Sequence, residues 1–309
     1  MQGGSTLSSA VGWRNERSLQ AGILDPGPEA PAGEASVAFF FISRFNLVLP
    51  DLWKPARFKS PGRWCRTRIP LFRDVTLPSM AGQARHGFLW LIYFDTEMNK
   101  AVSEILDIVA GYDFILPKFL DMRGQNVGHL RSRMSADIAC HLTPGTHYVC
   151  TTRIDTDDAV NHEFFGNLVG KVTEILAFRP APVGRLAISF PLGAQLNGDR
   201  ASLFVYEKNP FMSLLERSDD IRTIMAFPYR AASKAVDIEY SFTTVPQWLQ
   251  NIHRLNVGNR FHEELPRLRD LDQVAAWFSL DPTLLAQRQT PPRAPARARM
   301  APGGAGSTR

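Results

Sequence analysis

Thr151-Thr152-Arg153-Ile154-Asp155-Thr156-Asp157-Asp158 is the stretch on which the reading of this chain turns. His147–Thr152, just before the acids, is rich in β-branched and aromatic residues, as a buried strand requires. The carboxylates follow where that strand has to stop. In an open α/β sheet, ligands bind in the crevice past the carboxyl ends of the strands. Three crowded carboxylates repel one another unless a cation neutralises them, and hard divalent cations take carboxylate oxygens. The plain alternative is a solvated acidic turn, so the surrounding sequence has to decide.

Working outward, Ser36–Ile42 (Ser-Val-Ala-Phe-Phe-Phe-Ile) is a continuous apolar run, the pattern of a strand buried on both faces. It ends in Ser43-Arg44-Phe45-Asn46. Phe88–Phe94 is a second such run and ends at Asp95. Between the two, Pro70 is expected to open a helix carrying Leu71, Phe72 and Val75, broken at Pro78. Ala101–Val109 has a helical apolar stripe, and Phe114–Leu116 forms a third short strand. Beyond the acids, Asn161 is placed to cap a helix with Glu163 in its first turn. Phe165, Leu168, Val169, Val172 and Leu176 fall on its buried side. Arg185–Phe190 and Leu203–Tyr206 are strand-like and flank Asn197-Gly198, a strong hairpin signal. Asp272–Leu280 reads as a closing helix. The expected fold is therefore α/β, mostly parallel and helix-flanked in its N-terminal half, with antiparallel additions in its C-terminal half.

Composition bounds the function. The chain has 309 residues, 44% hydrophobic and 21% charged, with a formal charge of +5. Five arginines in the tail (Arg288, Arg293, Arg297, Arg299 and Arg309) carry positive charge with no acid among them. The body shows no run of Lys/Arg with interleaved aromatics, so a nucleic-acid partner is not expected. A basic tail suits peripheral contact with anionic membrane surfaces, or simple solvation. No apolar run reaches membrane-spanning length, and no signal pattern opens the chain. Three cysteines without a Cys-x-x-Cys argue against a disulfide framework or zinc site and for a reduced, cytoplasmic setting. Residues 1–35 and 286–309 read as disordered leader and tail around a single domain over 36–285.

Three strand ends thus carry polar residues: Ser43, Arg44 and Asn46; Asp95; and Asp155, Asp157 and Asp158. A parallel sheet brings all three to one edge. This layout resembles the GT-A fold of nucleotide-sugar glycosyltransferases. More closely, the chain resembles a rhamnosyltransferase family of bacterial GT-A-like proteins. Ser43–Asn46, Arg68 with Leu71-Phe72, Leu77–Met80 with Gln83, Trp90–Asp95, Thr151–Ala159 and Pro246–Arg260 carry the likeness. Ser43 stands where Thr is expected, and Met225–Ala232 lacks an anticipated His.

That resemblance implies a metal-dependent transferase moving a sugar, rhamnose by the family's name, from a nucleoside-diphosphate sugar to a hydroxyl of a glycan or lipid-linked acceptor. It implies Asp155, Asp157 and a distal His253 as ligands of Mn2+ or Mg2+. Ser43, Arg44, Asn46, Asp95, Arg153 and Asp155 are implied as contacts to the nucleotide, and Asp158 as a bond to donor or metal-bound water. Trp248 is implied as a stacking surface for a sugar or nucleobase; Arg153 in an ion pair, His253 in a structural role and Trp248 in the core are the plain alternatives. An inverting reaction needs a base, for which Glu216, Asp219 and Asp220 are candidates on what otherwise reads as a solvated helix face. A nucleotidyltransferase would share the sheet and acids but wants a Gly/Arg/Lys-rich phosphate loop after the first strand, which Arg44–Leu49 is not. A non-catalytic GT-A-like glycan-binding protein is the other alternative. Oligomeric state is not legible.

Overall fold

A computed structural model describes residues 36–47, 61–83, 85–96, 100–179, 183–253, 256 and 259–287. The expected leader, residues 1–35, and the tail from 288 onward lie outside the described residues. The first strand, β1, is Val37–Arg44, buried along its middle as its apolar run requires.

The next segment departs from expectation. Helix α1 spans Pro61–Leu71 and contains Pro70, which does not open a helix. Phe72–Thr76 then continues in the wider π register, closed by the Leu77 N–H donating to the Phe72 carbonyl. Helix α2, Leu77–Ala81, follows directly. Pro70 lacks the N–H that an α-helix interior uses, and a π turn is a known way to absorb such a defect. Pro78 falls in the first turn of α2, where no N–H is missed, so it does not break the segment.

Strand β2 is Phe88–Asp95, helix α3 is Lys100–Val109, and strand β3 is Ile115–Leu120. β3 runs farther than expected, through Pro117. It lies at the edge of its sheet, where a residue without an N–H is tolerated. Helix α4, Val127–Ala139, went unread in the sequence although Leu130, Met134 and Ile138 mark a buried stripe. Asn126 caps it, its Oδ1 accepting the His129 N–H at 3.0 Å. Strand β4, Tyr148–Arg153, carries the opening motif. A short strand β5, Ala159–Val160, leads to helix α5, Phe164–Phe178. Asn161 accepts the Glu163 N–H at 2.9 Å, just ahead of that helix.

The C-terminal half supplies strands β6 (Leu186–Ser189), β7 (Leu192–Asn197), β8 (Arg200–Val205), β9 (Ser213–Arg217), β10 (Asp237–Tyr240), β11 (Trp248–Asn251) and β12 (Arg267–Leu268). Helices α6 (Leu271–Trp277) and α7 (Pro282–Gln287) close it. α7 carries helix past the expected boundary at residue 285. The Asn197-Gly198 turn is a hairpin as expected, with Gly198 at φ 63°, but it joins β7 to β8. β6 belongs to the other sheet.

The larger sheet has seven strands in the order β10-β6-β9-β4-β1-β2-β3. β4, β1, β2 and β3 are parallel, and β9 is antiparallel to β4 and β6. This is the mixed α/β sheet expected. One face packs Phe39, Phe41, Trp90 and Ile92 against α3 and α5. The other packs Phe40, Ile42, Leu91 and Tyr93 against α4. Among the described residues no helix is long and apolar enough to cross a membrane.

The second sheet has the order β12-β8-β7-β11-β5. It is joined to the first through Trp248, which is fully buried, lies parallel to Phe211 at 5.2 Å and donates from Nε1 to the Phe190 carbonyl at 2.7 Å. The indole fits only because residue 193 has no side chain: a methyl group there would lie 2.2 Å from Trp248 Cδ2 and Cε2. Gly193→Ala is expected to cost about 1–3 kcal/mol through this clash, read as a fall in the urea unfolding midpoint. An unchanged midpoint would mean that the two sheets are not held at this distance by the indole.

Candidate functional site at the sheet edge

The parallel register brings the polar strand ends together. Ile42 of β1 pairs with Arg153 of β4, and Arg44 pairs with Tyr93 of β2. Ser43, however, is spent on the framework: its Oγ donates to the Ile154 carbonyl at 2.6 Å and accepts the Trp90 Nε1–H at 2.8 Å. Asn46 is likewise an organiser, its Oδ1 accepting the Asp95 N–H at 2.8 Å. That bond ties the end of β2 to the loop after β1 and holds the half-buried Asp95 at the edge.

The three acids separate into different roles. Asp155 is half-buried, while Asp157 and Asp158 are each 2% exposed. Asp157 is ion-paired with Arg68 of α1. His253 Nε2 lies 2.8 Å from the same oxygen, Oδ2, and Asn256 Nδ2 approaches it at 3.4 Å. Burial alone would raise the Asp157 carboxyl, but the Arg68 charge and the His253 and Arg68 hydrogen bonds outweigh it and hold it below the ordinary value. Asp158 Oδ1 accepts the Asn251 N–H at 2.9 Å. Burial, and then the charges of Asp157 and Asp155, push this carboxyl well above its ordinary value. The repulsion expected from the sequence is therefore present, but it falls on Asp158. Asp157 is neutralised from within the chain.

Arg153 turns away from the acids. Its Nη2 donates to the Ile224 and Phe227 carbonyls, both at 3.0 Å, and anchors the turn there. Burial first, and then the charge of Arg44, lower its guanidinium to about 10, and Arg131 of α4 acts in the same sense. Arg44, Arg131 and Arg153 thus form a cationic group on the α4 side of the edge. Among the described residues the buried Arg131 Nε finds no hydrogen-bond partner. Neither Arg68 nor Arg131 was singled out as a site residue from sequence. The unread helix α4 hid Arg131, and no spacing rule links Arg68 to Asp157 across 89 positions of chain.

Glu216 is corrected. It lies on strand β9, not on a helix, and pairs with Val149, four residues back from Arg153 along β4. That is roughly 13 Å from the strand end. The side chain is fully buried and accepts N–H groups of Thr223 at 2.8 Å and Arg222 at 3.0 Å, with Arg185 Nε at 3.2 Å. It folds the turn after β9 and is closed off from solvent by the described residues, which does not suit a base for an incoming hydroxyl. Asp219 and Asp220 lie in the same turn, paired with Arg217 and Arg185.

The donors for a divalent cation fit in type: a carboxylate and an imidazole nitrogen converge at a strand end, with Asp155 nearby. In the arrangement described, Arg68 supplies the positive charge there. Among the described residues no three His, Cys, Asp or Glu side chains converge closely enough to hold a metal ion. A cation at Asp157 would take the place of the Arg68 guanidinium.

The sequence profile of the family described as "Putative rhamnosyl transferase" matches residues 43–264, which include every strand-end residue above. Comparison with curated proteins gives no match. Among solved structures, residues 1–349 of S. aureus TarS align at 11% identity and a TM-score of 0.39, over 69% of this chain and 60% of that one. TarS 1–349 in complex with UDP aligns over the same shares at 15% identity and a TM-score of 0.40. The "putative nucleotide-diphospho-sugar transferase from Desulfovibrio desulfuricans G20" aligns at 11% identity and a TM-score of 0.34, over 82% of this chain and 97% of that one. This chain spans less than two thirds of the TarS chain.

Asp158 makes the charge balance measurable. An unfolded Asp titrates near ~4. A carboxyl whose folded value is raised binds its proton more tightly when folded, so stability falls as pH climbs through that window and stays reduced above it. Asp158→Asn keeps an oxygen for the Asn251 N–H and removes the charge. It is expected to raise stability on the order of 1 kcal/mol at pH 8, with the gain shrinking toward pH 5, in urea unfolding at both pH values. Equal losses at both would show that Asp158 is stabilising as a carboxylate.

Proposed function

The chain belongs to the family described as "Putative rhamnosyl transferase", and from that premise we propose that it moves a sugar, rhamnose in the first instance, from a nucleoside-diphosphate donor to a hydroxyl of a glycan or lipid-linked acceptor. The observation that carries the proposal is the convergence of Asp95, Asp155, Arg44 and Arg131 at one sheet edge, around the ion pair of the buried Asp157 with Arg68.

The residues divide the work. Asp95, fixed by Asn46, accepts hydrogen bonds from the nucleoside. Arg44 and Arg131 meet the phosphates, where guanidinium geometry suits bidentate contact. Asp155, half-buried just past β4, lies close enough to Arg153 and Asp158 for its charge to act on both. In the transfer, the bond from the anomeric carbon to the diphosphate oxygen breaks and a bond to the acceptor oxygen forms. The acceptor's proton passes to water or to the departing diphosphate, on which negative charge grows. Arg44 and Arg131 lower the energy of that charge in a partly dehydrated site. Mn2+ or Mg2+ belongs to the same proposal: Asp157, Asp155 and His253 would hold it in exchange for Arg68, and it would add to that neutralisation. A reduced, cytoplasmic setting also belongs to it, in keeping with the free Cys140 and Cys150.

The test is thermal denaturation with a panel of nucleoside diphosphates, each with and without Mn2+. At least one nucleotide should stabilise the protein, by about 2.7 kcal/mol at a hundredfold excess over its Kd. Asp95→Ala should lose at least tenfold in that affinity with its own melting temperature kept. No response to any nucleotide, with or without Mn2+, would remove the transferase proposal.

A further inference from the structure

Arg153 is held by neutral groups rather than by an acid. Its Nη2 donates to the Ile224 and Phe227 carbonyls, and its Nε lies 3.3 Å from Met225 Sδ, so all three partners belong to one turn. Among the described residues none of Arg44, Arg131 and Arg153 forms an ion pair with a carboxylate. The turn itself is strained. Thr223, fully buried, stands at φ 65° and ψ 155°, a conformation that a β-branched residue rarely takes. Such a residue persists only where its surroundings over-determine it. Here the fully buried Glu216 accepts the Thr223 N–H at 2.8 Å and the Arg222 N–H at 3.0 Å. Thr151 Oγ1 accepts the Ile224 N–H at 2.8 Å, and Thr223 Oγ1 accepts the Met225 N–H at 3.3 Å. Thr151 and Arg153 are two apart on β4 and share a face, so one face of that strand grips the turn twice. A turn that only connected two elements could take glycine at position 223 and would need no buried carboxylate.

We infer that Glu216 and Thr223 are positioning residues: they set the turn that holds the Arg153 guanidinium beside Arg44 and Arg131, and so complete a cationic group for a diphosphate. The three like charges repel one another, and the turn supplies the hold that a partner carboxylate would otherwise give. A carboxylate in that place would cancel the charge; two carbonyls and a thioether hold the side chain and leave the charge in force. Arg153 therefore acts on an anion through space, while Arg44 and Arg131 make contact. The enclosed Arg131 Nε, without a hydrogen-bond partner among the described residues, is a donor that an anion oxygen would satisfy.

That the anion is the diphosphate of a sugar donor rests on the transferase reading; the binding of a diphosphate does not. The test is therefore calorimetric titration with inorganic pyrophosphate, run beside the nucleoside diphosphates, on the parent, Glu216→Gln, Thr223→Gly and Thr223→Ser. The parent should bind pyrophosphate. Glu216→Gln leaves an N–H of the turn without its acceptor, and Thr223→Gly releases the turn from its constraint. Each should weaken pyrophosphate binding about tenfold, whereas Thr223→Ser, which keeps the hydroxyl, should stay near the parent. A role confined to folding predicts lower melting temperatures with unchanged affinity. Should the variants fold poorly, hydrogen exchange on the parent gives the same answer. The Arg222, Thr223 and Ile224 amides should exchange more slowly once pyrophosphate binds, because coupling between turn and anion is reciprocal. Equal pyrophosphate binding by parent and variants, unaltered exchange at those amides, or a parent that binds no pyrophosphate overturns the inference. Pyrophosphate binding without a response to any nucleoside diphosphate would instead leave the turn's role standing and remove the transferase reading.

Discussion

One buried carboxylate ties this molecule together. Asp157 sits just past β4 and draws Arg68 from α1, 89 positions earlier, and His253 and Asn256 from the segment after β11, some hundred positions later. Each group would be costly to bury alone, and the pairing is what makes their burial tolerable. Geometry follows from that pairing. α1 is drawn over the end of the parallel strands, and the chain leaving β11 is drawn in beside them. The neighbouring Asp158 is then fixed against the Asn251 backbone, in a position where its own charge is disfavoured. The edge is left with two kinds of group: Asp157 and Asp158, buried and holding the frame, and Asp95, Asp155, Arg44 and Arg131, which are half-buried.

The two sheets share the labour in a similar way. The seven-stranded sheet presents the polar strand ends. The five-stranded sheet braces them through β5 and β11, which pair immediately beside the acids. The contact between the sheets is aromatic and tight, with the Trp248 indole lying on Gly193 and against Phe211. Interiors packed to this density transmit displacement rather than absorb it. A shift in β11 therefore reaches Asn251, and with it Asp158.

What the sequence made legible was whatever a single run of residues encodes. β1 and β2 announce themselves because a strand buried on both faces must be apolar throughout, and the polar residue that ends each run marks the edge. The Asn-Gly turn and the stripe of α5 are equally local. The misses have physical reasons. The π segment after Pro70 leaves no apolar gap, so two prolines read as helix boundaries when the backbone bends its register instead. α4 has a weak stripe diluted by polar residues at Ser132, Arg133 and Ser135, although its Asn126 cap was available as a signal. β7 contains Gly193 and Gln195, which blur the period of two. Glu216 looked exposed because acids usually are, whereas it is folded in by Arg222 and Thr223 of the turn that follows it and by Arg185 from a distant stretch of chain. The Arg68–Asp157 pair is of the same kind, since it depends on the closed fold and on nothing local.

The central claim is that the strand edge is where a nucleotide sugar is broken. The most direct measurement is the rate of nucleoside diphosphate release from a panel of nucleotide sugars, dTDP-rhamnose among them, by the parent and by Asp155→Asn. Asp155 is half-buried and uses its backbone carbonyl to accept the Asp158 N–H, so the substitution spares the frame. The parent should release nucleoside diphosphate from at least one sugar donor. Asp155→Asn should be at least a hundredfold slower, a loss of about 2.7 kcal/mol in transition-state stabilisation, at an unchanged melting temperature. An Asp155→Asn protein as fast as the parent, or a parent that releases none, would contradict the account.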